Sequence, residues 1–259
     1  MLFKRIFRKI RHLKDKFLFK PFVKNVELCG LQIKTYMNSP FARDWYSNHA
    51  EWTELEFIKN NIIEEGDIVV DVGANIGFTS IFFSKLAGGN GHVHAFEPHP
   101  TNVKACEVNF KLNDMNSQIT LYPVAVGDQE SIIQIHDYSN SSISSSTNGG
   151  IDVRQATLDN VLKNVKPTFI KIDVEGYELQ VLKGAVRIFE GVSKFDIELH
   201  IFLLSKEEVN ELFEIILLKD FNMWVQLVVD QAIFPFDKNL HTVDLFMQHQ
   251  VVHIFAKKF

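Results

Sequence analysis

Four apolar runs of this chain end in acids. "IVVDV" (68–72) contains Asp71, "HVHAFEP" (92–98) contains Glu97, "TFIKIDVEG" (168–176) contains Asp173 and Glu175, and "KFDIELH" (194–200) finishes in Glu198 and His200. Short apolar runs bounded by turn residues read as buried strands. Strands buried on both faces belong to parallel sheets, whose crossovers are helices. Helical spacing fills the intervals: Trp52, Leu55 and Ile58 before the first strand, Phe78–Lys85 after it, then 101–113, "TLDNVL", Glu178–Ile188 and 205–219. "QITLYPVAV" (118–126) reads as a third strand, and 223–229 and 250–256 as the last two. In an open α/β sheet ligands bind beyond the carboxyl ends of the strands, which is where these acids collect.

The 259 residues suit one α/β domain with an N-terminal extension. Apolar residues make up 46% and charged residues 23%, a globular balance. No apolar run reaches the ~18 residues of a membrane span. Cys29 and Cys106 are far apart and have no metal-ligand spacing, so both read as buried thiols of a reducing compartment, and the expected location is cytoplasmic.

The net charge of -5 is unevenly distributed. Nine Lys or Arg stand among residues 1–24 against the single acid Asp15, so the body from 25 to 259 is strongly acidic. In the first segment Phe3, Ile6, Phe7, Ile10, Leu13 and Phe17 follow helical spacing between the basic residues. Such a helix suits the inner face of an anionic membrane, to which each basic residue adds roughly 1 kcal/mol. It suits equally a helix packed on the domain with a solvated basic face. An acidic body argues against nucleic acid as a partner. Residues 139–150, "SNSSISSSTNGG", read as a surface loop, either a linker or a lid.

After the first strand the glycines stand as D-x-G-x-x-x-G: Asp71, Gly73, Gly77, with Asn75 where a dinucleotide turn needs a second close glycine. A pyrophosphate fits that turn poorly, which counts against an NAD-dependent oxidoreductase. S-adenosylmethionine carries an ammonium and a carboxylate instead. Asp71 would attract the ammonium directly or through water, the N–H groups from Gly73 to the helix start would take the carboxylate, and Glu97 would accept from both ribose hydroxyls. Each residue also has a plainer explanation: Asp71 as a helix cap, Gly77 as a packing glycine, Glu97 as an exposed turn acid before Pro98.

"VVDVGANIGFTS", "HAFEPHPTNV", "PVAVGD", "TLDNVL", "FIKIDVEGYELQVLKGA" and "IELH", in this order, resemble the FkbM family of S-adenosylmethionine-dependent methyltransferases over about residues 52–200. The resemblance implies a class I methyltransferase fold, a Rossmann-like three-layer sandwich around a mostly parallel seven-stranded sheet. It implies methyl transfer to a hydroxyl of a carbohydrate, glycolipid or natural product. It matches Asp71, Gly73, Asn75, Gly77 and Glu97 to the cofactor motifs and sets the segment before Val126-Gly127 against the adenine.

O-methylation needs the acceptor oxygen in line with the sulfonium methyl and a group to take its proton. Asp173, Glu175, Glu198 and His200 are the candidates, all expected to face one crevice. His200 or Asp173 would act as a general base, or Asp173 and Glu198, with Glu175, would hold Mg²⁺ and lower the pKa of a bound hydroxyl. The other histidines read as surface or packing positions. A cofactor-binding scaffold without turnover stays open, because binding and catalysis use different residues.

Overall fold

Residues 18–48, 52–136, 150–218, 220–228 and 231–258 are described by a computed structural model. The basic segment 1–17 and most of the serine-rich loop lie outside these residues. Strands β1 (Phe22–Leu28) and β2 (Leu31–Met37) form an antiparallel hairpin that the sequence reading did not foresee. The expected boundary between residues 24 and 25 therefore falls inside β1. Helices α1 (Pro40–Asn48) and α2 (Thr53–Phe57) follow, the latter running into a π-helical turn (Ile58–Ile62). The alternation then begins: β3 (Ile68–Val72), α3 (Phe78–Ala87), β4 (His92–Phe96), α4 (Pro100–Leu112) and β5 (Ile119–Tyr122). Three strands, β6 (Ala125–Val126), β7 (Ser131–His136) and β8 (Gly150–Ala156), form a small separate sheet. The remainder is α5 (Leu158–Val161), β9 (Phe169–Ile172), α6 (Glu178–Lys183), α7 (Val186–Gly191), β10 (Lys194–Leu199), α8 (Lys206–Leu217), β11 (Asn222–Gln226), β12 (Phe234–Pro235), α9 (Val243–Phe246) and β13 (Val252–Lys257).

Among the described residues the main sheet has eight strands in the order β12-β11-β13-β10-β9-β3-β4-β5. The five from β10 to β5 are parallel, and β13 runs antiparallel between β10 and β11. Seven strands were expected. The eighth, β12, is a two-residue edge strand ending in Pro235, and an edge is where a residue without an N–H is tolerated.

Alternation along the strands sorts the core into two faces. Val70, Val72, Ile170, Ile172, Ile197 and Ile254 pack on α6, α7 and α8 through Leu182, Phe189, Leu212 and Ile216. Val69, Val93, Phe169 and Phe255 pack on α2, α3, α4 and the hairpin through Leu55, Phe82, Phe83 and Phe110. The second face also carries charge. Asp71, Lys171 and Asp196 are register partners across β3, β9 and β10, all buried, and Glu198 is paired with His253 across β10 and β13. Burying such groups is costly unless they are paired, and partners are at hand: Lys171 bonds Asp173, and His253 faces Asp196 and Glu198.

Two expected elements are broken for visible reasons. "QITLYPVAV" divides at Pro123, which has no N–H for the ladder, and Ala125–Val126 turns away to pair with β8. The helix expected over Glu178–Ile188 splits at Gly184, which lies against the Gly127 carbonyl, where a Cβ would come within 1.9 Å of the oxygen. At the opposite end of the sheet Lys194 Nζ bonds Asp67 Oδ2 and Glu64 Oε2, each at 2.8 Å, and Thr168 donates to Asp67 Oδ1 at 2.7 Å.

Candidate active site

The carboxyl ends of β3, β4, β9 and β10 open into a cleft of about 340 Å³, within the range of small-molecule sites. Gly73, Asn75, Glu97 and Val126 line it, as do Asp173, Glu175, Glu198 and His200. The four strand-end groups expected to share one crevice do so. Asp71 and Gly77, both assigned to the cofactor on sequence, are not among the lining residues.

Asp71 is fully buried beneath the β3–α3 turn, where its Oδ2 accepts from Ser80 Oγ at 2.5 Å and Thr79 Oγ1 at 3.1 Å. It fixes the start of α3 to the sheet and does not line the cleft, although its Oδ1 is buried without a hydrogen-bond partner among the described residues. Burial raises its carboxyl above the ordinary range against the pull of Lys171. Gly77 has φ +79°, and a Cβ there would lie 2.5 Å from the Phe110 ring, so it is a packing glycine between α3 and α4. Gly73, at φ +93°, borders the cleft and lets β3 pass the end of β9: a Cβ would fall 1.8 Å from the Asp173 carbonyl oxygen.

Glu97 is no exposed turn acid. Its Oε2 accepts the Asn75 N–H at 2.9 Å, and Oε1 accepts the His99 N–H at 2.8 Å and Asn102 Nδ2 at 3.4 Å. Burial nonetheless pushes its carboxyl up to about 7. A carboxylate held by three donors still has acceptor capacity, and this one faces the cleft. Asn75 stands in the left-handed region with φ +53°, and its Oδ1 is buried without a hydrogen-bond partner. Of the N–H groups expected to take the carboxylate, those of Gly73, Ala74, Asn75 and Gly77 are already bonded, the first two to the Phe96 carbonyl, the others to Glu97 Oε2 and the Ala74 carbonyl, which leaves the start of α3, where no side chain caps the helix. An amino-acid head needs an orphan acceptor for its ammonium and open N–H donors for its carboxylate, and a ribose diol needs a two-oxygen acid. Together with the apolar walls Phe96, Val124 and Val126, these residues fit S-adenosylmethionine.

The other end of the cleft is charged. Lys171 Nζ bonds Asp173 Oδ2 at 2.9 Å. Burial disfavours the ammonium, but Asp173 and Glu198 outweigh it and hold Lys171 above its ordinary range. Burial would likewise raise Asp173, yet Lys171 and His200 keep it low. Burial pushes Glu175 up, and burial with Asp173 beside it pushes Glu198 to about 7. His200 Nδ1 lies 2.9 Å from Glu178 Oε1, and its Nε2 faces Glu175 Oε2 at 3.4 Å, Glu198 Oε1 at 3.8 Å and Asp173 Oδ1 at 4.0 Å. Burial opposes its charge, but the Glu178 hydrogen bond and the neighbouring acids raise it to about 10.

Sequence reading missed several members. His253, taken for a packing residue, lines the cleft with Nε2 3.5 Å from Glu198 Oε2 and is held up to about 9, against burial, by Glu198 and Asp196. Its signal is its register with Glu198, which a sequence does not show. Glu178 orients His200. Phe41, Trp45, Tyr46 and Trp52 supply an aromatic wall, foreshadowed only by the aromatic density of "PFARDWYSNHAEW" (40–52). Cys106 is buried, with Sγ 3.0 Å from the Asn75 carbonyl, while Cys29 is only half-buried.

A mostly parallel sheet in which β13 and the two-residue edge strand β12 are reversed, a glycine turn after β3 and an acid at the end of β4 define a class I methyltransferase fold. Residues 71–231 match the methyltransferase FkbM domain, and the chain belongs to that family. It is 31% identical over 146 residues to the hexuronic acid methyltransferase AglP of Haloferax volcanii, an alignment covering 53% of this chain and 57% of that protein. The crystal structure of an FkbM methyltransferase from Methylobacillus flagellatus superposes with a TM-score of 0.54 at 20% identity, covering 82% of this chain and 50% of the other. The chain thus spans little more than half the length of these relatives. No helix among the described residues is long and apolar enough to cross a membrane.

Proposed function

We propose that the protein transfers a methyl group from S-adenosylmethionine to a hydroxyl of a sugar. The observation that carries the proposal is the continuity of one cleft from Asn75 and Glu97 to Asp173, Glu175, Glu198 and His200. Glu97 takes the ribose hydroxyls, Asn75 and the start of α3 the amino-acid head, and Val126 with Phe96 the adenine. The bound cofactor supplies an electrophilic methyl. The chain's own part is to orient the acceptor oxygen and take its proton as the new C–O bond forms. Glu198 is assigned that role, in place of His200 or Asp173. It stands between two ring nitrogens, His200 Nε2 at 3.8 Å and His253 Nε2 at 3.5 Å. Asp173 is tied to Lys171 and His200 to Glu178.

A sugar acceptor is supported by the name of the Haloferax volcanii relative and by a carboxylate-rich floor, which accepts hydroxyl hydrogens. The same floor repels a carboxylate, so the expected product is a methyl ether and not a methyl ester. We extend the reading to a lipid-linked glycan at an anionic membrane, supported by the basic pattern of residues 1–24. Flotation with anionic liposomes tests that part: equal binding after deletion of residues 1–20 removes it. For the central proposal, purified protein is incubated with S-adenosylmethionine and neutral hexosides, hexuronic acids or phenols, and S-adenosylhomocysteine and methylated product are measured by mass spectrometry. Turnover with sugars yielding an ether supports it. Turnover with phenols alone, ester products, or heat from NAD but none from S-adenosylhomocysteine in a titration overturns it.

The Mg²⁺ expected on Asp173 and Glu198 does not enter this proposal. The groups whose ligand atoms converge are Asp173, Glu175 and His200, a set containing nitrogen.

A further inference from the structure

The strand-end cluster contains a geometric oddity. His200 is buried, and its Nε2 forms no hydrogen bond among the described residues, although three carboxylate oxygens surround it at 3.4, 3.8 and 4.0 Å. These separations are long for charge-assisted hydrogen bonds, which settle at about 2.7–2.9 Å. They resemble the spacing of ligands around a shared ion. Donors placed about 2.0–2.2 Å from one metal lie roughly 3 to 4 Å from each other. One ligand atom each from Asp173, Glu175 and His200 falls within 4.8 Å of the others.

The surroundings prepare these donors. Glu178, wholly buried, takes the His200 Nδ1 at 2.9 Å with the same Oε1 that accepts the Gly176 N–H at 3.0 Å. A carboxylate on Nδ1 directs the other ring nitrogen's lone pair outward, the arrangement that supports metal-bound histidines. Lys171 occupies only Oδ2 of Asp173 and leaves Oδ1 facing His200. Glu175 has φ +54°, uncommon for a residue with a side chain, and its Oε2 lies 3.4 Å from His200 Nε2. Around the cluster the carboxylates Asp173, Glu175, Glu178, Asp196 and Glu198 face Lys171, His200 and His253.

We propose that His200 Nε2, Asp173 Oδ1 and Glu175 Oε2 bind a divalent first-row transition metal ion, with Glu198 outside the set. A mixed nitrogen and carboxylate donor set suits Mn²⁺, Fe²⁺, Co²⁺ or Zn²⁺, whereas Mg²⁺ and Ca²⁺ select oxygen. The ion displaces a proton from Nε2 when it binds. Held beside the acceptor end of the cleft, it would acidify a hydroxyl that approaches it. That consequence rests on the methyl-transfer reading, but binding itself does not.

The experiment separates the two. Untagged full-length protein is freed of metal with a chelator and titrated calorimetrically with MnCl₂ and with MgCl₂. S-adenosylhomocysteine binding is measured on the same samples, and with manganese the electron paramagnetic resonance spectrum is recorded. A single Mn²⁺ site, with Mg²⁺ bound more weakly, is expected. His200→Ala and Glu175→Gln should each weaken Mn²⁺ by about tenfold or more while keeping S-adenosylhomocysteine affinity, which reports that they fold. No Mn²⁺ binding by the parent protein, Mg²⁺ bound as tightly, or Mn²⁺ affinity unchanged in both variants overturns the proposal. Mn²⁺ binding lost in the variants by a protein that ignores S-adenosylhomocysteine would sustain the ion site and sink the cofactor assignment.

Discussion

Glu198 and His253 face each other across antiparallel β10 and β13, Oε2 to Nε2 at 3.5 Å. The pairing brings the last strand of the chain into a site otherwise built from strands that precede it by 50 residues or more in the sequence. It also gives Glu198 a cationic neighbour on each side, where the proposed base would take the acceptor's proton. Glu198→Gln keeps the shape and removes the proton acceptor. It should lower kcat by about 10²–10⁴-fold, the usual worth of general base catalysis, and leave S-adenosylhomocysteine affinity unchanged in a titration. A kcat within threefold, roughly 0.7 kcal/mol, of the parent would remove Glu198 from the role.

Cofactor affinity should depend on pH through Glu97. Burial raises its carboxyl from 4.5 to about 7. The unfolded chain loses this proton near its ordinary value while the folded protein keeps it to about 7. Stability therefore declines as pH rises across that interval and then levels off. Hydroxyl donors from a ribose favour the ionised form, so S-adenosylhomocysteine should bind best above pH 7. Its affinity should fall by up to about tenfold per unit below that. Calorimetry from pH 5.5 to 8.5, roughly centred on that shifted value, checks the slope, and Glu97→Gln should flatten it. Glu97→Ala at pH 8 should cost roughly 1–3 kcal/mol of binding, whereas Asp71→Asn, beneath the turn, should cost little affinity.

The difference between those two acids shows what a sequence can carry. Both end a strand, and their spacing marks the carboxyl edge of a parallel sheet, so the α/β alternation and the edge that carries the candidate site were readable from pattern, while the particular fold came from the family resemblance. Whether an end acid faces a ligand or props the turn depends on which sheet face it occupies and on what packs there. Asp71 lands under α3 because Val70 and Val72 take the other face. His253 escaped notice for a related reason: pairing register is a long-range property, and a lone histidine in "VVHIF" gives no sign of its partner. The helix broken at Gly184 is a further case: the residue it packs against, Gly127, is far away in sequence.

The far end of the sheet should respond in stability, not in chemistry. Lys194 is buried, and it holds Asp67, also buried, at 2.8 Å, with the more exposed Glu64 at the same distance. Lys194→Met keeps the bulk of the stem and leaves Asp67 without its cation. Breaking a buried pair in this way costs about 3–5 kcal/mol. Urea denaturation followed by circular dichroism measures it, and a loss under about 1 kcal/mol, the scale of an exposed pair, would show that water reaches Asp67.

Acceptor binding should depend on the aromatic wall before β3. Tyr46 stacks on Trp52 at 6.2 Å and meets Phe78 at 4.8 Å, which anchors α1 against the first residue of α3. One position earlier Trp45 is 42% exposed and lines the cleft, supported by Phe41 at 5.9 Å. Phe202, 61% exposed, lines the same cleft and meets the His200 ring edge-on at 6.1 Å. A sugar ring offers an apolar C–H face and polar edges. Aromatic faces at the mouth and carboxylates on the floor complement the two. Trp45→Ala should raise the acceptor KM by about 2–10-fold, the worth of one aromatic face, with kcat and S-adenosylhomocysteine affinity held. Tyr46→Ala should instead lower the melting temperature, because it removes a buried ring from the packing behind the turn. If Trp45→Ala leaves KM unchanged with every sugar that is methylated, the acceptor does not touch this wall, and its ring must be recognised from the floor alone.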